Sequence, residues 1–206
     1  MKPYYQDEWV TIYNCRCEDI LGELPKVDLV LTDPPYGINV GHMRVGEGKK
    51  VTRFKNFSWD DSLINWGLLW ELLTIGEKAI CWGGNYYPVP PSGCWLSWDK
   101  IQEFSGADFE LAWTNLKHPS KVFRKSRVEA YGNLDKKHPT QKPLDLFKWC
   151  IEQSGEPQTI LDPFAGSCTT GRAAKDLNRK CICIELEEKY CEIGAKRMCQ
   201  EVMNFN

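Results

Sequence analysis

The sequence predicts an α/β protein with a largely parallel β-sheet. Short apolar segments alternate along the chain with segments of helical periodicity, the pattern of repeated β-α units. Residues 27–32 are almost continuously apolar, as expected for a parallel strand that is covered on both faces. Three later apolar segments follow one another without a helix between them, so we expect a hairpin that makes one edge of the sheet antiparallel.

The individual elements follow from local signals. Strands are expected at residues 10–13, 27–32, 79–82, 94–98, 111–113, 158–163 and 180–184. A first helix is expected over 63–75, with Asp60, Asp61 and Ser62 as capping residues and Gly76 as its stop. Further helices are expected after the small-residue loop 165–171, from Pro143 to about residue 155, and over 187–203.

Asp33-Pro34-Pro35-Tyr36 follows the most apolar strand directly. The carboxyl end of such a strand is where open α/β sheets bind their ligands. The carboxylate of Asp33 can accept a hydrogen bond from an amino group, and the two prolines fix the backbone so that the Pro34 carbonyl can face the same group. Tyr36 can stack on a flat ring. The four residues therefore predict a site for an exocyclic amine on a planar base.

A second motif, TILDPFAGSCTTG at 159–171, reads as a strand, a loop of small residues and the start of a helix. Small residues allow a ligand to approach the backbone closely, and the helix start presents free N–H groups. The next strand ends in Glu185, at the distance typical of a carboxylate that binds ribose hydroxyls. The loop has neither a GxGxxG pattern nor a Walker lysine, which favours a nucleoside without phosphates.

The segments LTDPPYG (31–37), HPTQKP (138–143) and ILDPFAGSCTTGRAA (160–174), in this order, resemble the DNA amino-methyltransferases that use S-adenosylmethionine. The position of DPPY before the cofactor loop resembles the permuted β group of that family. The resemblance spans about residues 10–197. It implies a Rossmann-like sheet of seven strands with helices on both faces, and a cofactor at the end of the strand 158–163.

The resemblance also implies roles for individual residues. Asp33, Pro34, Pro35 and Tyr36 would hold the target amine, and Asp33 would also lie near the cofactor. The remaining cofactor-binding residues would be Asp162, Phe164, Ala165, Gly166, Ser167, Glu185, Thr140 and Lys142. The chain departs from the family at two positions: Cys168 stands where glycine is usual, and Arg16 stands where an acidic residue normally lies near the adenine of the cofactor.

Basic residues are concentrated in two segments, although the net charge of the chain is −2. We expect the loops 38–58 and 116–137 to contact DNA phosphates, because both adjoin the predicted site motifs. Two solvated loops are the alternative interpretation. The basic residues proposed to contact DNA are Arg44, Lys49, Lys50, Arg53, Lys55, Lys121, Arg124, Lys125 and Arg127.

Length and composition predict one domain, 1–206, and the resemblance implies that it is catalytic and acts in the cytoplasm of a bacterial or phage-infected cell. The sequence has no apolar stretch of membrane-spanning length. Its ten cysteines lack the spacing of zinc ligands, so we expect reduced thiols and no metal. The short segment before HPTQKP would read few base edges, which leaves a homodimer open. The loop 82–87 and the rings of Phe57 and Trp59 are weaker candidates for contact with bases.

The activity expected from these features is methylation of the N6 amine of a flipped-out adenine in DNA. Asp rather than Ser before Pro-Pro-Tyr favours adenine in this family, while cytosine N4 methylation remains the first alternative. Methylation of a protein amide or of an RNA base is a second alternative. The third is a DNA-binding protein without catalysis, which the departures at Arg16 and Cys168 leave open.

Overall fold

A computed structural model describes residues 1–37, 63–101, 107–131 and 142–200. These residues form one mixed β-sheet flanked by helices. The strands are β1 (Tyr5–Gln6), β2 (Val10–Asn14), β3 (Val27–Thr32), β4 (Gly76–Trp82), β5 (Trp95–Asp99), β6 (Phe109–Thr114), β7 (Lys121–Arg124), β8 (Thr159–Asp162) and β9 (Lys180–Glu185). The helices are α1 (Cys17–Ile20), α2 (Trp66–Leu73), α3 (Arg127–Tyr131), α4 (Leu144–Gln153), α5 (Thr169–Asp176) and α6 (Glu188–Met198).

The strand order is β1-β2-β9-β8-β3-β4-β6-β5-β7. The five strands from β2 to β4 in this order run parallel, whereas β6 is antiparallel to both β4 and β5. The carboxyl ends of β3, β8 and β9 therefore lie at one edge of the sheet. The motifs that follow these strands in the sequence meet at that edge, because a parallel sheet aligns its strand ends.

The core has one layer on each face of the sheet, as the alternation of β3 shows. Leu29 and Leu31 point to the layer that contains α4 and α5, and Val30 points to the layer that contains α2. All three side chains are fully buried. This double covering explains why β3 is nearly continuously apolar in the sequence.

The α/β class, the mixed sheet and the helices on both faces are confirmed, but the number of strands is not seven. The described residues contain nine, because β1 and β7 are added at the two edges. Both are edge strands whose side chains are mostly exposed, so they carry little of the apolar pattern that reveals a strand in a sequence. The antiparallel hairpin β5–β6 consequently lies inside the edge formed by β7, which pairs in parallel with β5.

The helix that was expected over residues 63–75 is α2, and it is shorter than expected. Its N-cap is Asn65, whose side chain accepts a hydrogen bond from Leu68 N at 3.2 Å, and residues 60–62 lie outside the described part of the chain. Gly76 does not terminate the helix but begins β4. A Cβ at Gly76 would lie 2.5 Å from the carbonyl oxygen of Lys78, so glycine is required by close backbone packing.

No helix in the described residues is both long enough and apolar enough to span a membrane.

Candidate active site

A cavity of about 500 Å³ opens at the carboxyl edge of the sheet. It is lined by the ends of β3, β8 and β9, by the loop before α5, and by Lys142, which lies two residues before α4. The sequence-predicted residues that line it are Asp33, Pro35, Lys142, Asp162, Phe164, Ala165, Gly166, Ser167 and Glu185. Pro34 is buried beside this cavity in the same loop as Asp33. Thr140 lies outside the described residues.

Asp33 is held by two donors from the protein. The hydroxyl of Tyr36 donates to Oδ1, and Lys142 Nζ donates to Oδ2 at 2.7 Å. Burial raises the pKa of Asp33, although Lys142 and Tyr36 oppose this effect. Because each carboxylate oxygen has two lone pairs, Asp33 can still accept a hydrogen bond from a ligand amine.

Lys142 is buried and contacts a second carboxylate. Its Nζ lies 3.1 Å from Glu110 Oε2, and Glu110 Oε1 in turn lies 2.9 Å from Lys100 Nζ. Burial alone would lower the pKa of Lys142, but the carboxylates of Asp33 and Glu110 raise it well above its usual value. Burial opposes ionisation of Glu110, but Lys142 and Lys100 outweigh it and lower the Glu110 pKa to about 2. We call Asp33, Glu110, Lys142 and Lys100 the charged cluster.

Tyr36 is positioned by the loop that follows β4. Its ring stacks on Tyr86, with ring centroids 5.0 Å apart. Gly83 adopts a left-handed conformation beneath the Tyr36 ring, and a Cβ at Gly83 would lie 2.0 Å from a ring carbon. The Tyr87 hydroxyl donates to the carbonyl oxygen of Pro35. The loop 82–87 therefore supports the DPPY motif, and its contact with a base stays a prediction.

Asp162 ties three elements together at the floor of the cavity. It accepts hydrogen bonds from Thr32 Oγ1 at 2.9 Å, from Phe164 N at 3.1 Å and from the hydroxyl of Thr170. Burial raises the pKa of Asp162 to about 7, because the hydrogen bonds only partly offset the loss of solvent. The carboxylate thereby fixes the start of the small-residue loop against β3 and α5.

Glu185 holds the other side of that loop. Its Oε2 accepts from Gly166 N and its Oε1 from Glu187 N, each at 2.8 Å. Burial raises the pKa of Glu185. The remaining lone pairs can accept from vicinal hydroxyls, and the apolar side chains of Phe164 and Ile184 line the same cavity. Carboxylate and apolar surface together suit a ribose and an adenine ring.

The two positions at which the sequence departs from the family pattern, Arg16 and Cys168, differ in their surroundings. Arg16 lines the cavity and forms an exposed ion pair with Glu18, at 3.1 Å, so Glu18 brings an acidic group to the cavity wall. Cys168 has a φ of 56°, in the left-handed region that favours glycine. Its side chain is fully buried rather than directed at the cavity.

The described basic residues lie on and beyond β7. Trp82 pairs with Ala112, Ala112 with Leu96, and Leu96 with Lys121, so β7 begins level with the end of β4 and extends past the sheet edge. Arg124 lies 3.4 Å from Asp99, and Lys125 pairs with Asp145. The segment 121–124 is a strand, not part of an irregular loop as expected.

The structure does not bear on DNA binding by the other basic residues that were proposed to contact DNA. Arg127 begins α3. The residues outside the described part of the chain are Arg44, Lys49, Lys50, Arg53 and Lys55.

Glu110 and Lys100 were not predicted as site residues. The strand expected over 111–113 began one residue after Glu110, whereas β6 of the structure includes Glu110. Glu110, Ala112 and Thr114 alternate along that strand, and the last two are fully buried. A carboxylate in register with a buried face is the signal that could have identified Glu110.

Within the described ranges, no group of three or more His, Cys, Asp or Glu side chains has an arrangement that could hold a metal ion.

Residues 98–196 match a family model described as DNA methylase. The chain is 26% identical to the Type II methyltransferase M2.MboI of Moraxella bovis, over 96% of this chain and 91% of the relative. It is 40% identical to the DNA adenine methyltransferase YhdJ of Escherichia coli strain K12, over 42% of this chain and 30% of the relative.

The fold is also found in a solved structure. The PvuII DNA methyltransferase, described as cytosine-N4-specific, superposes with a TM-score of 0.65 at 18% identity, covering 98% of this chain and 91% of that one. At this identity the likeness concerns the fold alone, and it agrees with the mixed sheet described above.

Proposed function

We propose that this chain is a DNA methyltransferase that methylates the N6 amine of adenine, a proposal that the DNA methylase family model over residues 98–196 and the Type II methyltransferase relative support. The observation that carries the proposal is the placement of Asp33, which accepts a hydrogen bond from Tyr36, on the wall of a cavity that also contains Glu185 and the loop 162–167. An amine acceptor and a nucleoside site thus share one space.

The proposed methyl donor is S-adenosylmethionine, the cofactor of the family. The cavity fits it, since Glu185 offers a carboxylate to the ribose and Phe164 and Ile184 offer apolar surface. The loop 162–167 would face its methionine part. When bound, S-adenosylmethionine supplies an electrophilic methyl group on a sulfonium, which the amine nitrogen takes as the carbon–sulfur bond breaks.

The chain contributes mainly orientation and electrostatics. Asp33 accepts an N–H of the base amine and so directs the nitrogen lone pair towards the donor side of the cavity. Its negative charge stabilises the positive charge that grows on nitrogen during transfer. The same carboxylate can then accept the proton that the methylated nitrogen releases. Tyr36 and Lys142 keep Asp33 in place, and stacking of Tyr36 on the base remains part of the proposal.

DNA would approach the sheet edge past β7, where Arg124 and Lys125 extend beyond β4. A base inside a duplex cannot reach a cavity below the sheet edge, so the target must be flipped out at a cost of about a few kcal/mol. Cations on the approach path compensate part of this cost by binding phosphates.

Adenine is favoured over cytosine by the Asp at position 33 and by the name of the YhdJ relative. Cytosine N4 methylation would use the same acceptor in the same cavity, and it is the second candidate. The deciding experiment is transfer from labelled S-adenosylmethionine to unmethylated DNA, followed by mass spectrometry of the nucleosides. We expect N6-methyladenine. N4-methylcytosine would assign the other base, and a lack of transfer to any DNA would overturn the proposal.

The variant Asp33→Ala tests the role of the carboxylate. We expect methyl transfer to fall by at least ~1000-fold, because the amine loses its acceptor and its stabilising charge. Binding of S-adenosylmethionine should weaken by less than ~10-fold, since Asp162, Glu185 and the loop are unchanged. Asp19→Ala, an exposed site outside the cavity lining, is the matched control. Normal transfer by Asp33→Ala would contradict the proposed mechanism.

A further inference from the structure

Glu110 is a half-buried carboxylate, with 24% of its side chain exposed, that belongs to none of the sequence motifs. It lies between two buried ammonium groups, 3.1 Å from Lys142 Nζ and 2.9 Å from Lys100 Nζ. The side chains of Lys142 and Lys100 are only 6% and 8% exposed. A buried charge is costly without a partner, so each member of the charged cluster depends on the next.

The sheet register explains why Glu110 reaches the active site. Trp82 is the last residue of β4 and pairs with Ala112 of β6. Glu110 precedes Ala112 by two residues, so it lies on the same face of β6 but beyond the end of β4. There it meets Lys142, whose Nζ lies 5.8 Å from the Trp82 ring centroid. Trp98 of β5 pairs with Glu110, and Lys100 lies two residues beyond Trp98 on the same face, from where its ammonium group reaches Glu110.

The charges of the cluster balance. Asp33 and Glu110 carry two negative charges, and Lys142 and Lys100 carry two positive charges. Without Glu110, two buried cations would face Asp33 alone, and positive charge growing on a nearby amine would be disfavoured. Lys142 would also bind Asp33 without a competing carboxylate, which would weaken Asp33 as an acceptor for the substrate.

We propose that Glu110 is a positioning residue for methyl transfer, which shares Lys142 with Asp33 and keeps the charged cluster neutral. This inference rests on the proposed function of the site. Glu110 acts through Lys142 and does not contact the base. Lys100 has the complementary role of compensating the charge of Glu110 on the side away from Asp33.

The pH dependence of the reaction reports this arrangement, because Asp33 must be ionised to accept the amine. The groups that face Asp33 are Tyr36 from its own loop, Lys142 before α4, Glu110 from β6, Cys81 from β4 and Asp162 from β8. Glu110 raises the pKa of Asp33, since a second negative charge disfavours ionisation. Removal of that charge should therefore lower the pKa of Asp33.

The test measures the single-turnover rate of methyl transfer at saturating S-adenosylmethionine and DNA between about pH 5 and pH 9. In Glu110→Gln we expect the acid limb of the pH–rate profile, where the rate rises as Asp33 ionises, to move to lower pH. The plateau rate above it should fall about ten-fold. In Lys100→Gln we expect the acid limb to move to higher pH, with a plateau within about three-fold of wild type. In the double variant, whose cluster is neutral again, the acid limb should return towards that of wild type.

Glu77→Gln makes the same chemical change at an exposed position of β4 and serves as the matched control. Thermal unfolding and S-adenosylmethionine binding identify variants that are folded. If Glu110→Gln does not fold, Lys100→Gln alone still tests the proposal through the direction of its shift. Unmoved acid limbs in folded, active variants would overturn the role of Glu110. A wild-type protein without methyl transfer would instead overturn the proposed function.

Discussion

Cys168 is a residue whose surroundings compensate for an unfavourable backbone. Its φ of 56° costs a side-chain-bearing residue roughly 1–2 kcal/mol. The thiol fits because Gly194 of α6 leaves space for it: a Cβ at Gly194 would lie 2.5 Å from Cys168 Sγ and 3.0 Å from its Cβ. The substitution at 168 and the glycine in the middle of α6 are therefore one packing solution.

The pair makes a prediction for stability. Gly194→Ala alone should destabilise the protein by about 1–3 kcal/mol, because overpacking outweighs the better helix propensity of alanine. Cys168→Gly should be close to neutral, since it relieves the backbone but removes a buried thiol. The double variant should recover most of the loss. Urea unfolding of the four proteins gives the coupling energy, and additivity within about 0.5 kcal/mol would show that the two sites are independent.

Helix α6 stabilises the candidate cofactor loop from behind. Arg197, in its last turn, donates to Ser167 O at 2.7 Å and to the hydroxyls of Ser167 and Thr169 at 3.2 Å. Arg172 of α5 donates in turn to the carbonyl oxygen of Arg197 at 2.9 Å. The loop is thus fixed between Asp162 and Glu185 on one side and the end of α6 on the other.

We expect Arg197→Gln to weaken S-adenosylmethionine binding about ten-fold, because hydrogen bonds from a charged donor contribute roughly 1.5–3 kcal/mol and the loop would lose its fixed shape. Lys196→Gln removes the same charge from the same helix, but its side chain is exposed and pairs with Glu192. It should leave the affinity within about two-fold of wild type. Calorimetric titration provides both values. Equal affinities in both variants would mean that α6 does not shape the loop.

At the scale of the whole molecule, carboxyl groups with raised and lowered pKa values have opposite effects on how stability depends on pH. Burial raises the pKa of Asp162 to about 7, above the ordinary value near ~4, so its stabilising contribution is present at low pH and is lost as pH rises through 7. Burial also raises the pKa of Asp33 and Glu185. The lowered pKa of Glu110, about 2, gives a contribution that is lost as pH falls from ~4 towards 2.

These shifts predict greatest stability of the free protein near pH ~4 and a decrease of roughly 4 kcal/mol in the free energy of unfolding by pH ~8. Urea unfolding at a series of pH values measures this slope. Asp162→Asn should be less stable at low pH but should show a much flatter decrease above pH 5. Asp19→Asn, an exposed control, should follow the wild-type slope. An unchanged slope in Asp162→Asn would mean that another group dominates.

The sequence by itself determined the fold class and predicted where the candidate site lies. Seven strands were visible because each buries apolar side chains on at least one face, and the motifs at 33–36 and 162–167 followed strands whose ends a parallel sheet must align. The edge strands β1 and β7 escaped prediction, because edge strands are largely exposed and need no apolar pattern.

Only the tertiary structure decided which charges surround Asp33. Glu110 and Lys142 are distant from Asp33 in sequence, and their meeting depends on β6 extending beyond the end of β4, which is a matter of register. The close packing of the Cys168 thiol against Gly194 likewise depends on the position of α6 relative to the loop. Local patterns encode periodicity and backbone preference, whereas charge balance and close packing arise between segments that only the folded chain brings together.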